Sequence, residues 1–575
     1  MTGGLLNIKS YGNQNIILNG NPSKTMFKTA YAKYTNFGMQ KFRLDHEGQR
    51  TLRMTEPTSL SFKVPRHADL LMDTHLVVTL PHIWSPILPP NTTSYLPSGP
   101  NNDPLTNTEL RGQWRPYNFK WIDNLGSQMI KEVRFIVGGQ IIQKFSGQYL
   151  YNLVERDFDE TKKKQYYKMT GNVPELNDPA NSGIRDNVYP NAYYDSSEQG
   201  PEPSIRSRKL YIPLNIWFTL SAKMAFPLIS LQYNPLYIEI DLRPVNELYV
   251  VRNVETLQGG GEGEYIRANQ NDILYQFYRF IYPPPNVELD YELFPKRVDW
   301  AADIHLISTY AFLSEDERTV FAQQQQQYLI KEVYEHKRQN VTGSSKFPLD
   351  SLGMVANWMW YFQRSDVSKR NQWSNYSNWA YGYLPSDLIS ATDPSAATID
   401  ISGNPYNPGI NPIGYGSPLT TDVPSYIYIT GKYAPENNKY IMQTWGLLLD
   451  GKYRENLLDE GILSYVEKYA RNKGYSNDGL YCYNFNISSN PYDFQPNGAM
   501  NLSKFKEVEF EFNTIQPPIN TLPSSTIFCN DDGEVIGINK PSWTIHTYNF
   551  DITVMEERFN VLTFISGNAS LMYAR

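Results

Sequence analysis

Cysteine is almost absent from this chain. Its 575 residues contain only two, Cys482 and Cys529. Secreted domains held together by disulfide bonds use many more, because the disulfides replace part of a hydrophobic core. The count therefore excludes a disulfide-rich secreted domain, and we expect both cysteines to be reduced, half-buried thiols.

Long apolar runs are also missing. No stretch reaches the ~18 residues that a membrane-spanning helix needs, and even residues 76–88 are interrupted by prolines and a histidine. Residues 1–12 lack the basic start and the apolar centre of a signal peptide. We therefore expect a protein that is made in the cytoplasm and stays soluble until it assembles.

Positive charge is not in excess. The chain has 52 Lys and Arg against 59 Asp and Glu, which gives a net charge of −7. Affinity for a nucleic-acid backbone comes mainly from Lys and Arg. We therefore predict no direct contact with nucleic acid.

Patterns typical of catalysis and metal binding are missing as well. The seven histidines include no pair at the HxxxH spacing of a metal site. No segment matches the G-x-S-x-G pattern of a serine nucleophile, and the glycines at 259–263 are not followed by the Gly-Lys-Ser/Thr of a phosphate loop. We predict no catalytic residue, no metal ligand, no cofactor and no enzymatic activity.

The residues that are plentiful favour strands and turns. There are 43 Tyr, 26 Phe and 11 Trp, which favour strands, and 39 Pro and 36 Gly, which favour turns. From Ile238 to Arg243 apolar and charged residues alternate, as in a strand with one buried face. These patterns predict an all-β chain. Its length of 575 residues exceeds one ordinary core and predicts two to four domains, a range that two large sandwiches with long loops would fit.

The composition divides the chain into four parts. We predict an N-terminal arm at 1–25, a first sandwich at 26–245, a connecting segment at 246–295 and a second sandwich at 296–575 with a long exposed loop at about 364–436. The arm is too polar to fold alone, so we expect that it either orders against another surface or is a frayed terminus. Two inserts in the first sandwich, 84–116 and 157–207, are predicted to be long loops.

Local patterns predict individual elements within these parts. Strands are expected at 59–64, 75–80, 130–137, 140–145, 209–213, 236–242, 304–312, 352–362, 440–448, 481–487, 507–512, 545–554 and 561–565. Ser146 is expected to cap a helix, and Ser314 with Glu317 forms the capping box of a second helix. The five glutamines that follow, Gln323 to Gln327, are expected to lie on a polar face of that helix.

Five blocks of sequence resemble the major capsid proteins of nucleocytoplasmic large DNA viruses. One is similar to the family's unit of strand, Gly-Gly-Gln turn, strand and helix, and reads WIDNLGSQMIKEVRFIVGGQIIQKFSGQYL. The five blocks are residues 3–37, 121–150, 210–243, 312–330 and 559–575. They follow one another in the family's order from end to end.

The resemblance implies two tandem jelly-roll sandwiches with long loop insertions and a few short helices. It also implies a structural function, in which three copies form a pseudo-hexagonal capsomer and capsomers tile an icosahedral shell. The expected partners are sister copies in a homotrimer, neighbouring capsomers, minor capsid and penton proteins, and an inner membrane reached by the N-terminal arm. The expected location is the virion capsid, after synthesis and assembly in the host cytoplasm.

Two further hypotheses stay open at this stage. Asn91 and Asn375 lie in glycosylation sequons within predicted loops, and they are the candidates if sugar enzymes of the virus reach them. The alternative function is a carbohydrate-binding or glycosidase-like β-sandwich protein. That alternative explains the aromatics and loops, and its cleaving form needs two carboxylates across a sugar, but it leaves the ordered blocks unexplained.

Overall fold

The structure is a computed structural model. It describes residues 12–48, 51–85, 118–185, 188–190, 202–252, 265–268, 277–281, 300–379, 438–493, 495–517 and 548–573, with short pieces at 4–5, 8, 388–391, 398–399, 405–406, 427–430, 526–529 and 535–539.

Eight strands form a first sandwich of two antiparallel sheets. The sheet orders are β1-β8-β3-β6 and β2-β7-β4-β5. The strands are β1 (Phe37–Asp45), β2 (Thr58–Lys63), β3 (Leu70–Leu80), β4 (Ile130–Val137), β5 (Gln140–Ser146), β6 (Arg208–Pro213), β7 (Leu236–Leu242) and β8 (Ile304–Leu313). Burial alternates along β7 as the sequence predicts, because its apolar side chains enter the core and its charged ones point outward.

Eight more strands form a second sandwich with the same strand order. Its sheets are β9-β16-β11-β14 and β10-β15-β12-β13, so every strand has its counterpart eight numbers earlier. The strands are β9 (Gln326–Val341), β10 (Ser344–Pro348), β11 (Met354–Arg364), β12 (Met442–Leu449), β13 (Lys452–Asp459), β14 (Leu480–Asn484), β15 (Val508–Thr514) and β16 (Phe550–Ile565). Two sheets of four strands in this order are a jelly roll, which confirms the expected fold class.

The strand β8 completes the first sandwich, although it follows the predicted boundary at residue 296. It pairs with β1 through Met39 and Ala311 and with β3 through Leu76 and Leu306. The domain limits therefore stay a prediction, and this pairing favours a boundary after Leu313.

In the described part of the chain, four helices of nine or more residues accompany the strands. They are α1 (Gly147–Asp157), α2 (Glu160–Thr170), α3 (Glu315–Gln323) and α4 (460–471, a π-helical turn Ile462–Val466 followed by the α-helical turn Glu467–Arg471). Ser146 caps α1 as predicted, because its hydroxyl accepts a hydrogen bond from the Tyr149 amide.

Three local predictions are wrong. The insert at 157–207 contains α2, which has Asp159 as its cap; only three of its eleven residues are buried, so its apolar period is weak. Ser314 stands at the start of α3, but its side chain forms no cap hydrogen bond there. The helix ends at Gln323, and β9 begins at Gln326, so the glutamines are not in one helix.

Shorter elements connect these strands. Short helices lie at Ile16–Asn19, Leu125–Met129 and Pro174–Asn177, and single 3-10 turns at Asn13–Asn15, Pro179–Asn181, Trp217–Thr219, Ala222–Met224, Leu228–Ser230, Val245–Glu247, Phe277–Arg279, Val367–Lys369 and Leu502–Lys504. Short strands lie at Thr51–Leu52, Phe119–Trp121, Phe226–Pro227, Tyr249–Arg252, Tyr265–Ile266, Trp300–Ala301, Leu388–Ala391, Thr398–Ile399, Pro405–Tyr406, Ile427–Thr430, Met500–Asn501, Thr526–Cys529, Val535–Asn539 and Asn568–Leu571.

The strand β11 shows how the second sandwich serves two cores. Trp358 and Trp360 point into its own core, as the alternation predicts. Met359 and Tyr361 point the other way and belong to the apolar cluster of the first sandwich. The outer face of the sheet β9-β16-β11-β14 is thus covered by the first sandwich, which fixes the junction between the two halves.

Candidate functional site

The junction between the sandwiches is built around α1. This helix follows β5 without a loop, and all eleven of its residues are buried. Its polar side chains reach across to the second sandwich: the Tyr149 hydroxyl donates to Glu557 over 2.9 Å, and the Asn152 amide donates to the Met555 sulfur over 3.7 Å. The helix therefore acts as the contact that sets the two sandwiches side by side.

A buried ion cluster lies at the end of α1. The Arg156 guanidinium donates to Glu557 over 2.7 Å, to Asp157 over 2.6 and 2.9 Å, and to the side-chain oxygen of Asn357 over 2.8 Å. Arg156, Asp157 and Glu557 are each no more than 2% exposed. A buried charge is tolerated only when it is paired and hydrogen-bonded, so the cluster holds only when both sandwiches are in place.

The two carboxylates of this cluster respond differently to burial. Burial alone raises the pKa of Glu557, but the charges of Arg156 and Lys331 and the hydrogen bonds from Arg156 and Tyr149 outweigh it and lower that pKa. In Asp157 burial is the stronger effect and raises the pKa. Arg156 and Glu557 are therefore the firmly charged pair across the junction.

Edge strands meet beside the helix. Gln143 of β5 donates its side-chain amide to the Lys331 carbonyl of β9 over 3.0 Å, and the Ser146 amide donates to Glu335 over 3.1 Å. Between these two strands lies a groove of about 580 Å³, lined in part by Glu132, Glu332 and Glu335.

The groove bears on the glycosidase alternative. Each of its three glutamates has a basic partner: Lys144 lies 2.9 Å from Glu132, Arg558 lies 3.2 Å from Glu332, and Lys337 lies 2.9 Å from Glu335. Two carboxylates acting on a sugar must face each other across it. The ion pairs give these glutamates a structural role instead.

A second buried ion cluster lies where the long exposed loop was predicted to begin. Asp366 accepts hydrogen bonds from Arg364 over 2.8 and 3.0 Å and from Arg370 over 3.1 Å at each oxygen. Asn371 donates to the carbonyls of Asn246 and Tyr249 in the first half. The described part of that region, 364–379, is therefore packed against both halves, and the prediction of an exposed loop is wrong there.

The predicted arm is exposed where the structure describes it. Within residues 12–25 the Ile17 side chain is 85% exposed and the Leu18 side chain 86%. No described residue covers these apolar side chains, and the expectation that the arm orders against another surface stays a prediction.

Of the two predicted glycosylation sites, the structure describes Asn375. Asn375 is half-buried, and its side-chain amide donates to Gln372 and to the Trp379 carbonyl while its oxygen accepts from Ser377. A sugar on that nitrogen would break this network, so the structure disfavours glycosylation at Asn375, which stays untested. Asn91 lies outside the described residues.

Cys482 is fully buried rather than half-buried, and burial raises the pKa of its thiol to about 11.

Across the described residues, no group of three or more His, Cys, Asp or Glu could hold a metal ion. In the same part of the chain, no helix combines the length and the apolar character needed to cross a bilayer.

Sequence reasoning missed Arg156, Asp157 and Glu557. The Arg156–Glu557 contact joins residues 401 positions apart. No local pattern marks such a pair, because each residue taken alone has the sequence context of a solvated charge.

Comparisons with known proteins agree with this fold. A family model described as the N-terminus of a major capsid protein matches residues 25–281. The major capsid protein of Phaeocystis pouchetii virus is 24% identical and aligns over the full length of both chains. That of Chrysochromulina ericina virus is 28% identical over 354 residues, which are 60% of this chain and 54% of that protein.

Solved structures show the same architecture. The Faustovirus major capsid protein superposes with a TM-score of 0.57 at 12% identity, covering 94% of this chain and 93% of that one. The PBCV-1 virus capsid gives a TM-score of 0.55 at 17% identity, covering 96% and 100%. At these identities the superpositions establish the fold.

Proposed function

We propose that the chain has the structural function of the major capsid proteins that it is similar to, and that three copies form a pseudo-hexagonal capsomer that tiles an icosahedral shell. The observation that carries this proposal is the repeated strand order. Each chain supplies two sandwiches of one topology, side by side. Three chains then supply six similar blocks, which suits a ring of nearly hexagonal outline.

The type of contact follows from the symmetry. Three copies in a ring meet through head-to-tail contacts, which leave no open end when the rotation closes. Obligate contacts of this kind commonly bury 2,000 Å² or more and are rich in aromatic residues, so we expect about that area for each contact.

Partners and location extend the proposal. The relatives imply a place in the virion capsid, with neighbouring capsomers as partners. We add minor capsid and penton proteins, and an inner membrane met by the arm, since residues 1–25 carry two lysines and no acidic residue. The proposal includes assembly in the host cytoplasm and no direct contact with nucleic acid.

The native mass of the purified chain tests the proposal. One chain weighs 66.3 kDa, so a trimer weighs about 200 kDa. Light scattering should show a stable species of that mass that does not bind a panel of glycans. A monomer that binds glycans would contradict the proposal and favour the carbohydrate-binding alternative.

A further inference from the structure

The junction inside the chain serves as the template for a second contact. Within one chain, the helix α1 leaves the edge strand β5 and packs on the outer face of the neighbouring sheet β9-β16-β11-β14. Tyr149 and Arg156 reach Glu557 of β16, and Arg156 reaches Asn357 of β11. The rule of this contact is that the helix after the fifth strand of one sandwich covers the outer sheet face of the next.

The counterpart of α1 in the second sandwich is α4, and no described part of the chain covers it in this way. It follows β13, the counterpart of β5, just as directly. Four apolar side chains point to solvent: Ile462 is 38% exposed, Tyr465 53%, Val466 59% and Tyr469 94%.

These four residues, which we call the α4 stripe, are spaced i, i+3, i+4 and i+7. This spacing is typical of one face of an α-helix. Because Ile462–Val466 is a π-helical turn, the assignment of these residues to a solvent-facing stripe rests on the measured exposure of each side chain. On α4, however, a different side already faces its own sandwich, where Leu463, Ser464 and Lys468 are buried. The helix thus has two faces suited to packing, and the single chain covers one. Beside it, Tyr453 and Leu457 of β13 are also about half exposed.

The counterpart of the covered sheet is the sheet β1-β8-β3-β6 of the first sandwich. Phe37 and Met39 of β1 pair with Leu313 and Ala311 of β8. The Phe37 side chain is 52% exposed and the Met39 side chain 60%. Tyr211 of β6 shares this outer face and is 40% exposed. The first sandwich therefore presents apolar side chains on the surface that the rule assigns to a helix.

We propose that the α4 stripe of one copy packs on the outer face of the sheet β1-β8-β3-β6 in the next copy. This inference rests on the proposed trimer and names the surfaces that form it. Each contact between copies then repeats the contact that α1 makes within a copy. The donor surface lies on the second sandwich and the acceptor surface on the first, so the contact is head-to-tail, the type of contact that a closed ring of three copies requires.

The contact of α1 forms during folding and the contact of α4 during assembly, and the side chains of each suit that difference. The α1 contact forms as the chain folds and holds a buried ion cluster. The α4 stripe must stay soluble in water before assembly. Tyrosine suits that requirement because its ring is apolar and its hydroxyl is polar, and it is among the residues that dominate interface energies.

A charge placed on the stripe tests the inference. Tyr469→Asp puts a carboxylate where the ring would be covered, and it should weaken association of the copies by at least about tenfold, as expected for an interface hot spot. Tyr233→Asp is the control, since Tyr233 is 72% exposed and lies in the connection between β6 and β7, outside both α4 and the strands of the proposed acceptor sheet. Light scattering over a dilution series should show Tyr469→Asp dissociating at higher concentration than wild type, with Tyr233→Asp unchanged.

Footprinting of the unmodified protein covers the case in which Tyr469→Asp fails to fold. Hydroxyl radicals should label Tyr469 and Met39 several-fold less in the trimer than in diluted monomer, whereas labelling of Tyr233 should not change. If wild type is a trimer but Tyr469 labels equally in both states, or Tyr469→Asp associates normally, the inference is wrong and the proposed function stands. If wild type does not form a trimer at any concentration, the proposed function itself fails.

Discussion

Arg156 of the first sandwich donates a hydrogen bond to Glu557 of the second over 2.7 Å, with both side chains almost completely buried. The two residues lie in different jelly rolls, and neither charge has access to water. Their pairing makes the relative position of the sandwiches part of the folded state of the single chain. A capsomer built from such chains starts from a rigid pair of blocks.

Removing the arginine should therefore be costly. Arg156→Ala leaves Glu557 and Asp157 buried without their cation, and we expect a loss of about 3–5 kcal/mol in the free energy of unfolding. Arg53→Ala is the matched control, because Arg53 pairs with Glu56 at the surface and should cost no more than about 1 kcal/mol. Urea unfolding followed by fluorescence measures both, and equal losses would contradict a special role for the junction.

The start of α1 requires a glycine. A Cβ at residue 147 would overlap the carbonyl oxygens of Ser127 and Ile130, both of which are backbone atoms. We expect Gly147→Ala to destabilise the protein by about 1–3 kcal/mol through overpacking. Gly38→Ala places its Cβ in open space on β1. A melting temperature lowered by Gly147→Ala and unchanged by Gly38→Ala is the expected result, and two equal shifts would refute it.

Acid should weaken the Asp366 cluster. Burial alone raises the pKa of Asp366, but hydrogen bonds and charges from Arg364 and Arg370 outweigh it and hold that pKa at about 2. An unfolded aspartate has a pKa of about 3.9, so the cluster contributes about 2–3 kcal/mol above roughly pH 4 and loses this as the pH falls towards 2.

The variant Asp366→Asn isolates that contribution. It should be much less stable than wild type at pH 7, and the difference should shrink steadily below pH 4. Urea midpoints at pH 7, 4 and 3 give the comparison. A difference that stays constant over this range would show that the charge of Asp366 is not the cause.

The arm should matter for the shell and not for the capsomer. Deleting residues 2–20 removes exposed residues such as Ile17 and Leu18, which no described part of the chain covers. We expect the truncated protein to keep the mass of a trimer and to lose efficient assembly into shells, as counted by electron microscopy. Loss of the trimer itself would contradict this division of roles.

Much of the local structure could be predicted from the sequence. The strands β4 and β7 have the predicted bounds, because a period-two pattern with one buried face is a local property. The cap at Ser146 was equally visible, since capping involves residues three apart. The stripe at Ile462, Tyr465, Val466 and Tyr469 was just as local, but no prediction used it.

Strand partners and buried ion pairs could not be predicted in the same way. The sequence shows β8 as a strand but not that it joins β1 and β3, because strand partners are selected by the whole fold. Arg364, Asp366 and Arg370 look like solvated charges in sequence, yet their mutual pairing lets them be buried.

The most direct test of the account is a cryo-electron microscopy map of the purified, unassembled protein. The account predicts a closed ring of six sandwich-shaped densities with threefold symmetry, two from each chain, with α4 of one chain against β1 of the next. A single isolated molecule, or a ring joined through other surfaces with α4 facing solvent, would contradict it.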